Sequence, residues 1–127
     1  MSESHIVADI RLAHSKGNVR VFRNNVGSAW QGEVIRLADG SILIKKPRIV
    51  HFGLCEGSGD LVGFQKIKVI EAMVGMDLAL FVNLEVKTKY GRPTQEQLDF
   101  IALVNNMGGN AAVVRSVDEA RVVLHGT

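Results

Sequence analysis

Apolar residues at Ile6, Val7, Ile10 and Ala13 recur at helical spacing, and Ser2 or Ser4 stands where a helix cap belongs. The chain is therefore expected to open on a helix, ended by Lys16-Gly17-Asn18. The period then shortens to two. Val19-Arg20-Val21-Phe22-Arg23 alternates apolar and basic positions, as a strand does. Residues 33–37 and 41–45 flank Ala38-Asp39-Gly40, an Asp-Gly hairpin signal. The intervening Asn24-Asn25-Val26-Gly27-Ser28-Ala29 reads as a loop, with Trp30 at its edge as a core or half-buried residue.

A glycine-rich turn over residues 53–59 leads into Asp60-Leu61-Val62-Gly63-Phe64, and residues 65–70 alternate as a strand. Residues 78–86 form the most apolar strand. Leu78, Leu80, Val82, Leu84 and Val86 share one face, and Ala79, Phe81, Asn83, Glu85 and Lys87 the other. Apolar residues on both faces of its first half predict a central strand. Pro93 opens a helix whose stripe is Leu98, Phe100, Ile101, Val104 and Met107, stopped by Gly108-Gly109. Ala111-Ala112-Val113-Val114 reads as a short buried strand, and Ser116-Val117-Asp118-Glu119 as a capping box for a last helix. The order predicts an α/β fold, a mixed sheet with helices on its faces, with a right-handed parallel crossover across residues 78–114.

Composition narrows the class. At 127 residues and 46% hydrophobic, the chain is expected to form one domain, residues 1–127, with a sizeable core. No apolar run spans a bilayer, the first residues do not read as a signal peptide, and the single cysteine, Cys55, excludes a disulfide framework. A cytoplasmic protein is the expectation. The net charge of +2 excludes a polybasic chain, but eight of the 15 Lys/Arg and only four of the 13 Asp/Glu fall in residues 1–50, a bias that suits a polyanion.

The informative chemistry is an acidic residue at a glycine turn, Asp60, followed by Glu85-Val86-Lys87. Glu85 and Lys87 are two apart and leave the same face of the strand, at its polar end. Asp60, opening a different strand, brings a second carboxylate. Two carboxylates and the Val86 carbonyl make an oxygen-rich site for a hard cation such as Mg²⁺, which would activate water and polarise a phosphorus. Lys87 would orient that water or neutralise charge on the phosphate. Asp77 competes with Asp60, but Gly75-Met76-Asp77 reads as a turn, and Glu71 as turn surface. His5, His14, His51 and His125 are too scattered for zinc. Cys55 lacks a relay partner, and Gly57-Ser58-Gly59 is no P-loop because no Gly-Lys-Ser/Thr follows.

Taken in order, Gly59-Asp60-Leu61-Val62-Gly63, Leu84-Glu85-Val86-Lys87, Gly91-Arg92-Pro93-Thr94, Gln97, Gly108-Gly109 and residues 113–120 resemble the VRR-NUC domain. That family is a branch of the PD-(D/E)XK nuclease superfamily, found in phage proteins and in a Fanconi-anaemia-associated enzyme. The likeness spans residues 59–124 closely and 3–30 more loosely. It departs from the pattern at Gly59, where proline is usual, and in the long 71–77 segment.

The resemblance implies a restriction-endonuclease-like fold with a central mixed sheet and a Mg²⁺- or Mn²⁺-dependent phosphodiesterase. Asp60 and Glu85 would be metal carboxylates, joined by the Val86 carbonyl and, through water, by Glu3. Lys87 would be the catalytic lysine, steadied by Gln97, with Gln95 as its rival. Stand-alone members resemble Holliday-junction resolvases, which implies a homodimer cutting branched DNA. Arg11, Lys16, Arg20, Arg23, Lys45, Lys46 and Arg48 would contact phosphates, and Asn24 and Asn25 would approach the site. Residues 26–30 and 52–54 are the expected apolar contacts of the dimer. The alternatives are a less selective nuclease or nickase on duplex or flap DNA, a non-catalytic nucleic-acid-binding module, and a structural phage component.

Overall fold

The computed structural model describes residues 2–127. Three helices and six strands follow in the order α1 (Glu3–His14), β1 (Val19–Arg23), β2 (Gly27–Arg36), β3 (Ile42–Phe52), β4 (Leu61–Gln65), β5 (Val82–Val86), α2 (Gln95–Asn106), β6 (Asn110–Val114) and α3 (Val117–His125). A single 3-10 turn, Glu71–Met73, lies between β4 and β5. The chain is mixed α/β. Among the described residues the strands form three two-stranded sheets, β1 with β4, β2 with β3, and β5 with β6, rather than the one continuous sheet expected. No described helix is long and apolar enough to cross a membrane.

The described chain forms two compact units: residues up to Lys16 with Arg20–Gly63, and Gly17–Val19 with Phe64–Thr127.

In the first unit, α1 is capped by Ser2, whose side chain accepts from the His5 N–H. β2 and β3 form a long antiparallel ribbon turned by Asp39-Gly40, where Ser41 N–H and the Leu37 carbonyl and N–H close the loop. The ribbon begins at Gly27 and ends at Phe52, so the segment expected as a loop over 24–29 is partly strand. Trp30, expected in or near a core, is 63% exposed. Two strands joined by one short turn need no outside partner for their ladder, and the pairing extends as far as both chains stay extended. Arg20–Arg23 of β1 lies antiparallel to the start of β4: Asn24 N–H meets the Asp60 carbonyl at 2.8 Å, while Gly63 packs on Arg20 and Val21. A Cβ on Gly63 would stand 1.8 Å from the Arg20 carbonyl oxygen, so only glycine permits this approach.

The second unit is a β-α-β crossover with a further helix. β5 pairs β6 in parallel, from Val82 opposite Asn110 to Val86 opposite Val114. Parallel neighbours need a crossover, and α2 supplies it. β5 covers only residues 82–86 of the 78–86 stretch expected, because β6 offers five residues to pair with. Among the described residues it is paired on one side, with β6. Likewise β4 stops at Gln65 rather than running to Ile70.

The helix starts differ in detail from the sequence pattern. Pro93 precedes α2 instead of lying in its first turn; Thr94 caps the helix, in a full capping box with Gln97. Ser116 caps α3, while the Glu119 carboxylate accepts from the Arg115 N–H instead of from the cap residue. Val104, Ala111 and Val114 form the buried apolar centre of this unit, and Phe64 meets Phe81 tilted and Phe100 edge-on, at centroid distances of 4.8 and 6.5 Å. Asn105 fastens α2 to the strand it feeds: its Nδ2 donates to the Ala111 carbonyl and its Oδ1 accepts from the Ala111 N–H, both at 2.9 Å.

Candidate active site

Glu85 is the fourth residue of β5, and Lys87 follows the strand's end. The ladder continues one step beyond, since Lys87 N–H donates to the Val114 carbonyl at 3.1 Å. That bond keeps the backbone extended at Lys87, so the two side chains emerge side by side. Lys87 Nζ lies 3.4 Å from Glu85 Oε1, with both side chains largely covered, 21% and 28% exposed.

Gln97 completes the group from α2. Its Oε1 accepts from the Thr94 N–H at 2.8 Å, and its Nε2 donates to Glu85 Oε1 at 2.9 Å. The cap decides which way the amide points: only the carbonyl oxygen can accept from Thr94, so the NH₂ must face Glu85. One side chain thus starts the helix and grips the carboxylate. Gln95 takes no part, because its Nε2 is bonded to Asp99 Oδ1 one helical turn on.

Lysine and glutamine both meet Oε1 of Glu85; among the described residues no hydrogen bond or ion pair reaches Oε2. A partly exposed ion pair of this kind adds at most about 1 kcal/mol to stability. Its effect is positional: an ammonium held beside a carboxylate that keeps one oxygen for another ligand.

The loop after β5 is also held. Arg115 Nη1 donates to the carbonyls of Thr88 at 2.6 Å and Gly91 at 2.7 Å, and more distantly to that of Lys89. Nothing in the sequence marks Arg115 as a positioning residue, since its partners lie 24 or more residues away.

In the first unit, Glu3 and Asp60 line one cavity of about 200 Å³ together with Ser4, Val7, Arg23 and Asn25. Asp60 is placed by the Asn24 N–H on its carbonyl. Asn24 itself is turned inward. Its Nδ2 donates to Ser58 Oγ at 2.7 Å and to the Gly59 carbonyl at 2.9 Å, and its Oδ1 accepts from the Leu54 N–H. An amide with both ends engaged clamps the glycine-rich turn in front of Asp60. Asn25 remains at the cavity.

All nine residues expected to meet DNA belong to this unit. Arg48 bonds to Gln31 at 2.7 Å across the ribbon, and Lys45 stands opposite Glu33. His51 Nδ1 lies 2.7 Å from Ser28 Oγ, in a cavity of about 500 Å³ that Cys55 and Glu56 also line.

Within the first unit, Glu3 and Asp60 line one cavity, a pair of carboxylate residues that suits a hard cation. Within the second, Glu85 keeps an oxygen for another ligand. Among the described residues no three His, Cys, Asp or Glu side chains cluster as a complete metal cage. Mg²⁺ and Mn²⁺ sites need no such cage, because these ions retain water and take phosphate oxygens as ligands. The chain matches no protein-family model, no curated protein and no solved structure.

Proposed function

We propose that this protein is a metal-dependent endonuclease that hydrolyses phosphodiester bonds in DNA, selective for branched structures such as four-way junctions, and that its fold is of the PD-(D/E)XK type. The observation that carries the reading is the Glu85–Lys87–Gln97 group: a strand-end carboxylate and ammonium 3.4 Å apart, locked by a helix-capping glutamine. A surface ion pair needs no such lock, whereas a phosphoryl-transfer site needs its charges fixed before the substrate arrives.

Each residue has a role within this reading. Asp60, Glu85 and the Val86 carbonyl would be the oxygen ligands of Mg²⁺ or Mn²⁺, and Glu3 would act through water. A bound divalent cation supplies a Lewis acid and lowers the pKa of its water. Lys87 holds the attacking water or offsets charge gathering on the phosphate. Gln97 keeps Glu85 and Lys87 in register. Arg11, Lys16, Arg20, Arg23, Lys45 and Lys46 supply a sequence-independent attraction for the phosphate backbone.

The test is cleavage of labelled linear, flap and four-way-junction DNA with Mg²⁺, Mn²⁺ or EDTA. Metal-dependent cutting with preference for the junction supports the reading. Cutting all three alike returns a less selective nuclease. Binding without cutting in either metal overturns the enzyme and leaves a nucleic-acid-binding module.

A further inference from the structure

The loop between β5 and α2 carries side chains that the proposed metal chemistry does not use. Lys87, Lys89 and Arg92 follow in close order, and no Asp or Glu appears again before Glu96. Lys89 and Arg92 are exposed, and among the described residues neither makes an ion pair. Between them stands Tyr90, the only tyrosine of the chain, 86% exposed. Lys89 Nζ lies over the Tyr90 ring, 5.5 Å from its centroid. A cation over one face of a ring leaves the other face open to a second planar group.

The backbone beneath the ring is firmly held. Arg115 Nη1 reaches the Thr88, Lys89 and Gly91 carbonyls, on both sides of Tyr90, and the Gly91 N–H donates to the Thr88 carbonyl at 3.1 Å. A Cβ on Gly91 would come 3.2 Å from Thr88 Oγ1, so the turn is tight. At one end the loop leaves Lys87, whose N–H is still bonded to β6; at the other it enters the Thr94–Gln97 capping box. A fixed backbone that holds an aromatic ring in water gains nothing for folding, but it is what a stacking platform needs.

We infer that Tyr90 is a base-stacking platform for an unpaired nucleotide of the DNA, with Lys89 and Arg92 holding the phosphates that flank it. An aromatic face for the base and cations for the backbone is the pairing by which single strands are bound. A base inside a duplex is already stacked on both sides, and freeing it is costly. Tyr90 therefore engages a base that a flap or branch point has already freed. The ring is three residues from Lys87, at most about 10 Å along the chain. The stacked base then belongs to a nucleotide next to the phosphate that Lys87 meets; this placement rests on the nuclease reading, whereas the stacking does not. The nine residues expected to meet phosphates all lie in the first unit, so Tyr90 gives the second unit its own hold on the strand. Selectivity for branched DNA follows from the freed base, without readout of sequence.

The test begins with the full chain in EDTA, where no strand is cut. Flap DNA carrying 2-aminopurine as the first unpaired base should lose fluorescence on binding wild-type protein or Tyr90→Phe, and should keep it when Tyr90→Leu binds. Tyr90→Leu should bind the flap roughly 10-fold or more weakly, with duplex binding unchanged and circular dichroism native. Lys89→Gln with Arg92→Gln should flatten the salt slope of flap binding by about two units, one for each phosphate contact. With Mg²⁺ or Mn²⁺ added, Tyr90→Leu should lose the preference for flap or junction over duplex, and Tyr90→Phe should keep it. Equal quenching and affinity in wild type and Tyr90→Leu overturn the inference, as does metal-dependent cutting whose preference ignores Tyr90→Leu. Quenching that depends on Tyr90, with no cutting in either metal, leaves the platform standing and removes only the nuclease.

Discussion

Gln97 sits at a junction of two requirements. Its carbonyl must accept from Thr94 N–H to start α2, and this orients its amide nitrogen toward Glu85. Gln97→Glu separates the two tasks. A glutamate still accepts from the cap, so the melting temperature should change by no more than the effect of a neighbouring like charge. Donation to Glu85 is lost, and two carboxylates face each other. Cleavage should fall by about 10²-fold or more, as when a preorganised donor is removed, while a cap-only role would leave cleavage intact. Asp60→Asn, Glu85→Gln and Lys87→Ala should each abolish cutting and leave DNA binding in place. An active Asp60→Asn with a dead Asp77→Asn reassigns the ligand.

Asp39 offers a residue-scale check on the ribbon turn. Hydrogen bonds from the Ser41 hydroxyl and N–H hold its carboxyl below the ordinary 3.8. A depressed carboxylate stabilises the fold above its unfolded pKa, and that contribution disappears as pH falls below about 3.8. The group is fully exposed, so the effect on stability is small. The carbon-13 titration of Asp39 should move up toward 3.8 in Ser41→Ala, and an unchanged midpoint would contradict the assigned cause.

At the scale of elements, the β1–β4 pair depends on Gly63. Its backbone closes on Arg20 and Val21, and any Cβ there must push the strands apart. Gly63→Ala should lower stability by about 1–3 kcal/mol, the cost of an overpacked contact, read from the urea midpoint. It should also reduce cleavage beyond what stability explains, because Asp60 is carried at the same strand's start. Thr94→Ala, which deletes a helix cap, should cost about 1 kcal/mol by the same measurement. If Thr94→Ala also lowers cleavage at a temperature where the variant is fully folded, the cap and the grip on Glu85 are coupled as the geometry requires.

For the whole molecule, the excess charge is unevenly shared. The first unit has eight Lys/Arg against six Asp/Glu and the second seven against seven, so the net +2 belongs to the unit with the ribbon and the Glu3–Asp60 cavity. Backbone contacts release counterions, so DNA affinity should fall steeply with salt and vary little with base sequence. Arg23→Ala should weaken binding to all sequences alike and flatten the salt slope by about one unit. A sequence-selective loss would point to base readout instead.

Local physics made much of this chain legible. The caps at Ser2 and Ser116 and the Asp39-Gly40 turn follow from short-range rules, in which a residue meets partners within a few positions, and the parallel crossover follows from the strand–helix–strand order. The Glu85–Lys87 pairing follows too, from the two-residue repeat of a strand. The tertiary structure decided whatever depends on a distant partner. Residues 78–81 and 66–70 have strand-like patterns but are not strands; β5 pairs with the five residues of β6, and Lys66 N–H makes one last bond, to the Asn18 carbonyl, past the end of β4. The clamp made by Asn24 was not legible because its partners are about 30 residues on. A bulge in the ribbon, where the register shifts between Gln31 and Glu33, reversed the faces of β3 beyond it, so alternation read along that strand alone puts Ile49 on the wrong side. Periodicity records what a residue's neighbours in sequence allow; the bonds across strands and loops choose among those allowances.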